Sequence, residues 1–225
     1  MTSLKKFLHF WAVAFFPSRC PYCNRVIDDS ECACKRCRKQ IPEFCWKTYA
    51  AGGYICAAAL PYKDAYSKAI HKLKFKNRTD LAKPLAMQIV RAVKELYGDL
   101  HFDLVTCVPM HKINRKLRGY NQAELLAREC AELLELPYLG TLEKFKQNQP
   151  QHETSKDERE KNVRGVYRLL GNTDLSGKRV LLIDDVITTG HTLGECSRIL
   201  MKGKCAEICC AVVCVASVNK FIAPG

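Results

Sequence analysis

The sequence predicts an α/β fold in which a parallel sheet is flanked by helices, and three observations support this prediction. Continuous apolar runs such as 103–110 and 180–183 are typical of parallel strands that are buried on both faces. An amphipathic helical pattern at 81–96 separates 103–110 from an earlier apolar run at 57–62. This alternation indicates a doubly wound sheet. The 225 residues, of which 48% are hydrophobic, suffice for one such domain with a small appendage.

Strands and helices are predicted to alternate along the rest of the chain. Strands are expected at 57–62, 103–110, 139–145, 166–170, 180–183 and 206–217. Helices are expected at 65–76, 81–96, 121–134 and 192–202. Asn121 is the expected N-cap of its helix, and Thr192 with Glu195 has the spacing of a capping box. The polar segment 146–164 has no periodicity and is expected to be a mobile loop.

The N-terminus combines two lysines with an apolar run at 7–16, a pattern that resembles the start of a signal peptide. No suitable cleavage site follows, and the run is too short to span a bilayer. We therefore expect an amphipathic helix that packs on the protein, with no stable membrane insertion; affinity for a membrane surface is the alternative. The expected division is an N-terminal element at 1–56 and a main domain at 57–225.

Two C-x-x-C pairs predict a metal site. They are separated by ten residues and consist of Cys20, Cys23, Cys34 and Cys37. Each pair places two thiolates on one tight turn, and two such turns complete a tetrahedral, structural zinc site with no open position. A redox dithiol and two disulfides are the alternatives. Cys32 is an extra thiol that could replace Cys34 as a ligand.

The chain has fourteen cysteines in all. Most of the others lie in apolar strand or helix patterns, where cysteine behaves as a small buried hydrophobic residue. Cys45 and Cys56 are expected to be unpaired and outside the zinc site. Cysteines distributed in this way indicate reduced thiols and a cytoplasmic location rather than a secreted disulfide scaffold.

The segment 180–192, VLLIDDVITTGHT, is the strongest functional signal. Asp184 and Asp185 follow an apolar strand, and open α/β sheets bind ligands at the carboxyl ends of their strands. The next residues form a loop of small and hydroxyl side chains that enters a helix, which suits a phosphate. Two carboxylates beside a phosphate loop predict a phosphorylated sugar as ligand, with the acids on ribose hydroxyls.

All thirteen positions of this segment resemble the signature with which type I phosphoribosyltransferases bind 5-phosphoribosyl pyrophosphate (PRPP). The residues expected to contact PRPP are Asp184, Asp185, Val186, Thr188, Thr189, Gly190, His191 and Thr192. An ordinary aspartate-rich turn is the alternative, but two adjacent acids would then repel each other without a partner.

A segment dense in cations, 111–120, follows the predicted strand at 103–110 and is expected to be a loop. It leaves the same edge of the sheet as the loop after Asp185, so Lys112, Arg115 and Arg118 could neutralise a pyrophosphate. The formal net charge of +13 fits the same kind of partner, either a polyphosphorylated small molecule or a nucleic acid.

Several segments together resemble the ComF family of competence-associated, phosphoribosyltransferase-like proteins. Residues 108–111 and 118–124 are similar to its VP-x-H and RG[FY]NQAE block, and the C-x-x-C pairs are similar to its N-terminal zinc element. Gln149, Arg159 and 162–165 resemble a loop that closes over the site in this family. Thr154 and Ser155 depart from that loop's usual leucine followed by serine or threonine.

The resemblance implies a ligand and a role for each segment. Asp184 and Asp185 would hold the ribose 2′ and 3′ hydroxyls, partly through Mg²⁺, and 188–192 would hold the 5′-phosphate. Pyrophosphate would lie against Pro109, Met110, His111, Lys112 and Arg115. The segment 146–164 would form a flexible hood. Family members are associated with DNA uptake, with incoming single-stranded DNA and with a DNA-translocating competence helicase.

The leading functional hypothesis is phosphoribosyl transfer with release of pyrophosphate. Its catalytic residues would be Asp184, Asp185, Lys112 and Arg115, which act by positioning and charge stabilisation. No residue stands out as a general base, although His111, Glu153 and Asp157 are candidates. The alternatives are a protein of this fold that binds single-stranded DNA or senses nucleotides without turnover, and a scaffold with a degenerate site. For DNA, the candidate stacking residues are Tyr22, Trp46 and Tyr120.

Overall fold

The computed structural model describes residues 18–146, 165–171 and 173–216. The helix predicted at 7–16 and nearly all of the loop predicted at 146–164 lie outside these residues. None of the helices in the described ranges combines the length and the hydropathy that a membrane-spanning segment requires.

A five-stranded sheet forms the centre of the protein, with a separate two-stranded sheet beside it. The strands are β1 (Trp46–Tyr49), β2 (Ile55–Pro61), β3 (Leu104–Cys107), β4 (Leu142–Lys144), β5 (Tyr167–Leu169), β6 (Arg179–Ile187) and β7 (Glu207–Val215). The main sheet has the order β1-β2-β7-β6-β3, and all its pairs except the β1–β2 pair are parallel. β4 and β5 pair antiparallel. The predicted α/β fold with a parallel sheet is confirmed.

The helices of the described residues are α1 (Lys35–Arg38), α2 (Asp64–Phe75), α3 (Ala82–Tyr97), α4 (Lys112–Arg118), α5 (Gln122–Leu134) and α6 (His191–Lys202), with a 3₁₀ turn at Thr79–Leu81. α3 and α5 pack against each other and against the sheet, and α6 packs against β5, β6 and β7. Successive residues of β6 point to opposite faces, yet Leu181, Leu182 and Ile183 are all fully buried. Both faces of the sheet are therefore covered at this strand.

The expectation that 111–120 is a loop was wrong, because α4 occupies 112–118. His111 caps the helix by accepting a hydrogen bond from the backbone N–H of Ile113, and Gly119 ends it in the left-handed conformation. α4 has no buried residue, so its sequence lacks the apolar face by which helices are usually recognised.

The expected capping box at Thr192 was also wrong. α6 begins one residue earlier, at His191, and its N-cap is Gly190. Glu195 makes other contacts: its carboxylate accepts a hydrogen bond from the backbone N–H of Gly165 and pairs with Arg198. In contrast, Asn121 is the N-cap of α5 as predicted, since its side chain accepts from the N–H of Ala123.

The N-terminal cysteines form a small core of their own. Cys20, Cys34 and Cys37 are buried there with Ile27 and Ala33. The unit contacts the main domain, because the hydroxyl of Tyr66 on α2 donates to the carbonyl of Gln40 at 2.6 Å and Arg91 on α3 donates to that of Pro42 at 3.0 Å. β1 already belongs to the main sheet, although it precedes the predicted boundary at 56/57; that boundary stays a prediction.

Candidate functional site

An open cavity of about 490 Å³ lies at the edge of the sheet where β3 ends. β6 pairs with β3 only as far as Ile183, whereas it stays paired with β7 as far as Ile187. The last residues of β6 therefore extend beyond β3 and face this cavity. Its walls include eight of the predicted site residues: Asp184, Asp185, Val186, Thr188, Thr192, Pro109, Met110 and His111.

The two aspartates are buried, with relative exposures of 9% for Asp184 and 3% for Asp185. The Asp184 carboxylate accepts a hydrogen bond from the backbone N–H of Asp185 at 2.8 Å. Burial and the neighbouring charge of Asp185 raise the pKa of Asp184 above its usual range. A ligand that brings hydroxyl donors or a divalent cation would relieve both effects, so the pair fits ribose hydroxyls and Mg²⁺.

Lys74, at the end of α2, forms an ion pair with Asp185 at 2.7 Å between Nζ and the carboxylate oxygen. Burial disfavours the charged lysine, but the attraction of Asp185 outweighs it and the pKa of Lys74 is raised. The sequence analysis missed this residue. Lys74 is one of several lysines between 68 and 76, and the sequence offers no signal that distinguishes it from the others.

A second, smaller cavity of about 40 Å³ adjoins the first and is formed by the loop between β6 and α6. Thr189, Gly190 and His191, the remaining predicted PRPP contacts, line this smaller cavity and not the larger one. The first turn of α6 supplies unpaired N–H groups and the positive end of the helix dipole. The Nδ1 atom of His191 is buried and has no hydrogen-bond partner among the described residues. These features fit a phosphate group.

The chain segment after β1 packs against the loop between β6 and α6. The N–H of Ala51 donates to the carbonyl of Gly190 at 3.1 Å. A Cβ atom on Gly190 would lie 2.8 Å from the Cα of Ala50, and the glycine has a φ of +75°. Glycine is therefore required at 190 by both space and conformation.

The three cations of α4 that were predicted to neutralise a pyrophosphate differ in their positions. Lys112 pairs with Glu143 at 3.0 Å and Arg115 pairs with Glu124 at 3.0 Å, and neither lines the larger cavity. Arg118 does line it and donates to the side-chain oxygen of Gln122 at 2.5 Å. The predicted pyrophosphate role of Lys112 and Arg115 stays a prediction.

Lys144, at the end of β4, also lines the larger cavity and was not predicted. Its ammonium nitrogen lies 5.5 Å from the ring centroid of Tyr167, another wall residue. Burial lowers the pKa of Lys144. Because β4 and β5 belong to the small sheet, only the folded structure brings this lysine to the cavity.

The four predicted zinc ligands lie together. The Sγ atoms of Cys20, Cys23, Cys34 and Cys37 are all within 4.8 Å of one another. Tetrahedral zinc with bonds of about 2.3 Å places its sulfur ligands about 3.8 Å apart, and the Sγ atoms of Cys23 and Cys34 are 3.5 Å apart. A hydrogen bond from the backbone N–H of Cys37 is the main reason that the pKa of Cys34 falls to about 7. This donor set fits zinc.

Cys32 packs beside the cluster but is not one of its four sulfur positions, so Cys34 occupies the position that the sequence left open. All fourteen cysteines are free thiols in the structure. Cys45 and Cys56 are buried in the main core, apart from the cluster, as expected.

Comparison with known proteins identifies relatives of this chain. The family described as phosphoribosyl transferase domain matches residues 120–220. Competence protein F of Haemophilus influenzae is 31% identical over 195 residues, which cover 84% of this chain and 81% of that protein. The DNA utilization protein YhgH of Salmonella typhi is 27% identical over 195 residues, with coverages of 85% and 81%. Competence protein ComFC of Bacillus subtilis is 28% identical over 193 residues, with coverages of 84% and 74%.

Proposed function

Because this chain belongs to the competence protein F (ComF) family and contains a phosphoribosyl transferase domain, we propose that it binds PRPP with Mg²⁺ in the cavity at the end of β3. One observation is the main support for the proposal. The buried pair of carboxylates lines the larger cavity, the loop suited to phosphate lines the smaller one, and Asp184, Thr188 and Thr192 line both. This arrangement matches a sugar that carries a phosphate at its far end.

The aspartates and the loop would hold the two ends of the phosphoribose. Asp184 and Asp185 accept hydrogen bonds from the ribose hydroxyls, which requires that the Lys74–Asp185 ion pair rearranges. The N–H groups and hydroxyls of 188–192 donate to the 5′-phosphate. Mg²⁺, when bound, supplies positive charge to the diphosphate and to the aspartates.

The pyrophosphate group would lie against Pro109, Met110 and His111, on the wall that follows β3. Lys74, Arg118 and Lys144 are the cations on the walls, and they add positive charge where the leaving group departs. Lys112 and Arg115 would contribute after leaving Glu143 and Glu124. In the transfer step an acceptor attacks C1′ while the bond from C1′ to the pyrophosphate oxygen breaks.

The cysteine cluster is proposed to hold one structural zinc. Four sulfur ligands leave no open coordination position, so the metal would take no part in the reaction. Its role would be to fix the N-terminal unit, whose core consists largely of the ligands themselves.

The names of the relatives, which mention competence and DNA utilization, support a role in DNA uptake or use. A cytoplasmic location and a competence helicase as partner are proposed from the family resemblance alone. The second candidate function is therefore binding of single-stranded DNA without turnover. The net charge of +13 and the cations of α4 favour a phosphate backbone as partner. Of the stacking residues expected from the sequence, Trp46 is buried, so it is not available to a base.

Isothermal titration with PRPP and Mg²⁺ tests the site. We expect the wild type and the Asp99→Asn variant, which changes an exposed aspartate outside the walls of the cavity, to bind equally. The Asp184→Asn/Asp185→Asn double variant should lose binding. Binding that survives in the double variant would contradict the assignment of the site.

Pyrophosphate release separates an enzyme from a binding protein. The protein that binds PRPP is incubated with nucleobases, ammonia or glutamine, and free pyrophosphate is measured over time. Release above the rate without acceptor supports transfer. Tight PRPP binding with no release across this set favours the binding function.

A further inference from the structure

One helix connects the N-terminal cysteine unit with the proposed PRPP cavity. α2 contacts that unit at Tyr66, near its start, and its last two residues, Lys74 and Phe75, line the cavity. Tyr66 and Lys74 are about 12 Å apart along the helix axis, since each residue adds about 1.5 Å. A displacement of Tyr66 along this axis therefore displaces the cavity wall as well.

Both contacts of Tyr66 with the N-terminal unit come from chain next to the proposed zinc ligands. Its hydroxyl donates to the carbonyl of Gln40 at 2.6 Å, and the N–H of Gln40 donates to the carbonyl of the ligand Cys37 at 3.0 Å. The centroid of its ring lies 5.1 Å from that of Tyr22, and the two rings meet edge to face at 88°. Tyr22 lies within the first C-x-x-C pair.

Tyr22 packs against both hydrophobic cores, that of the N-terminal unit and that of the main domain. Its hydroxyl is buried and has no hydrogen-bond partner among the described residues. The contacts of its ring, rather than a polar contact of its hydroxyl, therefore hold this side chain in place. Those contacts require that the turn between the first two cysteines keeps its shape.

The shape of that turn depends on the state of the cysteine cluster. The four Sγ atoms lie within 4.8 Å of one another, and four thiolates at such distances repel each other unless a cation lies between them. Three of the four cysteines also form most of the small core of this unit. A bound metal would therefore fix both of the segments that contact Tyr66.

At its other end, α2 supplies part of the wall of the PRPP cavity. Lys74 pairs with Asp185 at 2.7 Å, and the hydroxyl of Tyr120 donates to the carbonyl of Leu73. The ion pair has to rearrange when ribose hydroxyls reach Asp185. The contacts of Tyr66 then hold the helix while Lys74 changes its partner.

We propose that Tyr66 is a positioning residue, which acts through α2 on Lys74, so that PRPP binds more tightly when the cysteine cluster holds its metal. The inference rests on the proposed function. Without metal, PRPP binding would have to order α2 as well, which costs conformational entropy. Coupling between two binding sites is reciprocal, so PRPP strengthens zinc binding by the same factor.

Competition for zinc measures this coupling. The full chain, loaded with zinc, is equilibrated with a chromogenic chelator, and its zinc affinity is determined with and without PRPP and Mg²⁺. We expect PRPP to raise the zinc affinity about 5- to 150-fold, the usual range of coupling between two sites. Tyr66→Phe loses the hydrogen bond and should reduce this factor. Tyr66→Ala also loses the ring contact and should bring the factor close to one.

Two controls accompany these variants. Tyr49→Phe removes the hydroxyl of an exposed tyrosine outside the cavity and should keep the wild-type factor. The Asp184→Asn/Asp185→Asn double variant corrects for zinc that PRPP binds in solution. A role of Tyr66 in stability alone would change zinc affinity equally with and without PRPP, whereas a positioning role changes the ratio of the two affinities.

The outcomes separate this inference from the proposed function. The coupling is wrong if the wild type binds PRPP but has the same zinc affinity with and without it. It is also wrong if Tyr66→Ala keeps the wild-type factor, or if the purified chain holds no zinc. In each of these cases the proposed PRPP site stands. Failure of the wild type to bind PRPP refutes both.

Discussion

Lys74 and Asp185 set the charge balance of the larger cavity. Two adjacent carboxylates are buried there, and Lys74 forms an ion pair with one of them, Asp185. A buried charge that loses its partner is strongly destabilising, whereas the pair itself contributes little. Lys74 therefore offsets part of the negative charge of the acidic pair.

Replacing Lys74 by methionine leaves Asp185 buried and unpaired. We expect the free energy of unfolding at neutral pH to fall by about 1–3 kcal/mol, as measured by urea denaturation. Lys76→Met, at an exposed position just beyond the same helix, should change it by less than about 0.5 kcal/mol. Equal effects of the two substitutions would contradict the importance of the ion pair.

Asp184 should make stability depend on pH. A carboxyl whose pKa is raised on folding binds more protons in the native state, so its contribution to stability is lost as the pH rises. Asp184→Asn removes this loss. The free energy of unfolding of the variant, relative to wild type, should therefore increase between about pH 5 and about pH 8, by at most about 1.4 kcal/mol per pH unit. Denaturation of both proteins without Mg²⁺ and PRPP measures this difference in free energy of unfolding. A difference that does not change with pH would show that the pKa of Asp184 is not raised.

At the scale of single residues, the sequence predicted the acidic pair but not Lys74 and Lys144, the lysines that line the same cavity. Asp184 and Asp185 lie within one contiguous segment whose pattern is local, and the same holds for Thr188 and Gly190. Lys74 and Lys144 reach the cavity from elements far apart in the chain. Their positions depend on how α2 and β4 pack, which residue spacing does not encode.

Among the elements, the loop between β6 and α6 and the first turn of α6 pack tightly against the chain segment after β1. A Cβ atom on Gly194 would collide with the carbonyl oxygen of Ala51. Gly194→Ala must therefore push this segment away from the loop. We expect it to lower stability by about 1–3 kcal/mol, a typical cost of overpacking, and to weaken PRPP binding.

The control for this substitution is Gly140→Ala. A Cβ atom at Gly140 would meet only the Tyr138 hydroxyl, at an ordinary 3.9 Å. Thermal unfolding and PRPP titration of both variants compare the two positions. Unchanged stability in Gly194→Ala would mean that the segment after β1 can move away from α6 with no loss in free energy of unfolding.

The elements also differ in how well their sequences predict them. α5 begins at Asn121 as expected, because its cap and its apolar face are both visible locally. α4 was expected to be a loop because four of its seven residues are cations; in the structure none of the seven is buried. The start of α6 was placed one residue late because Gly190, rather than Thr192, is the N-cap.

In the whole molecule, three of the four clustered cysteines, Cys20, Cys34 and Cys37, form most of the core of the N-terminal unit. We expect one zinc per chain by metal analysis, and loss of the metal in Cys37→Ser. This variant should melt at least about 2–4 °C lower, the shift that follows from about 1 kcal/mol in a chain of this size. Cys32→Ser should keep both the zinc and the melting temperature, since Cys32 lies outside the cluster. Zinc loss in Cys32→Ser alone would exchange the roles of Cys32 and Cys34.

The charge of the whole chain gives a test of DNA binding that needs no PRPP. With a net charge of +13, binding of single-stranded DNA should release counterions from several phosphates. If the protein contacts about five phosphates of a single strand, the logarithm of the affinity falls with the logarithm of the salt concentration with a slope near about −3.5. Affinity should then fall about 100-fold between about 50 and about 200 mM salt.

Fluorescence anisotropy with a labelled oligothymidine measures this slope. Arg115→Gln, on the exposed cationic helix α4, should make it shallower by about 0.7. A slope near zero would exclude a surface that follows the phosphate backbone, and an unchanged slope in Arg115→Gln would place the strand elsewhere on the protein.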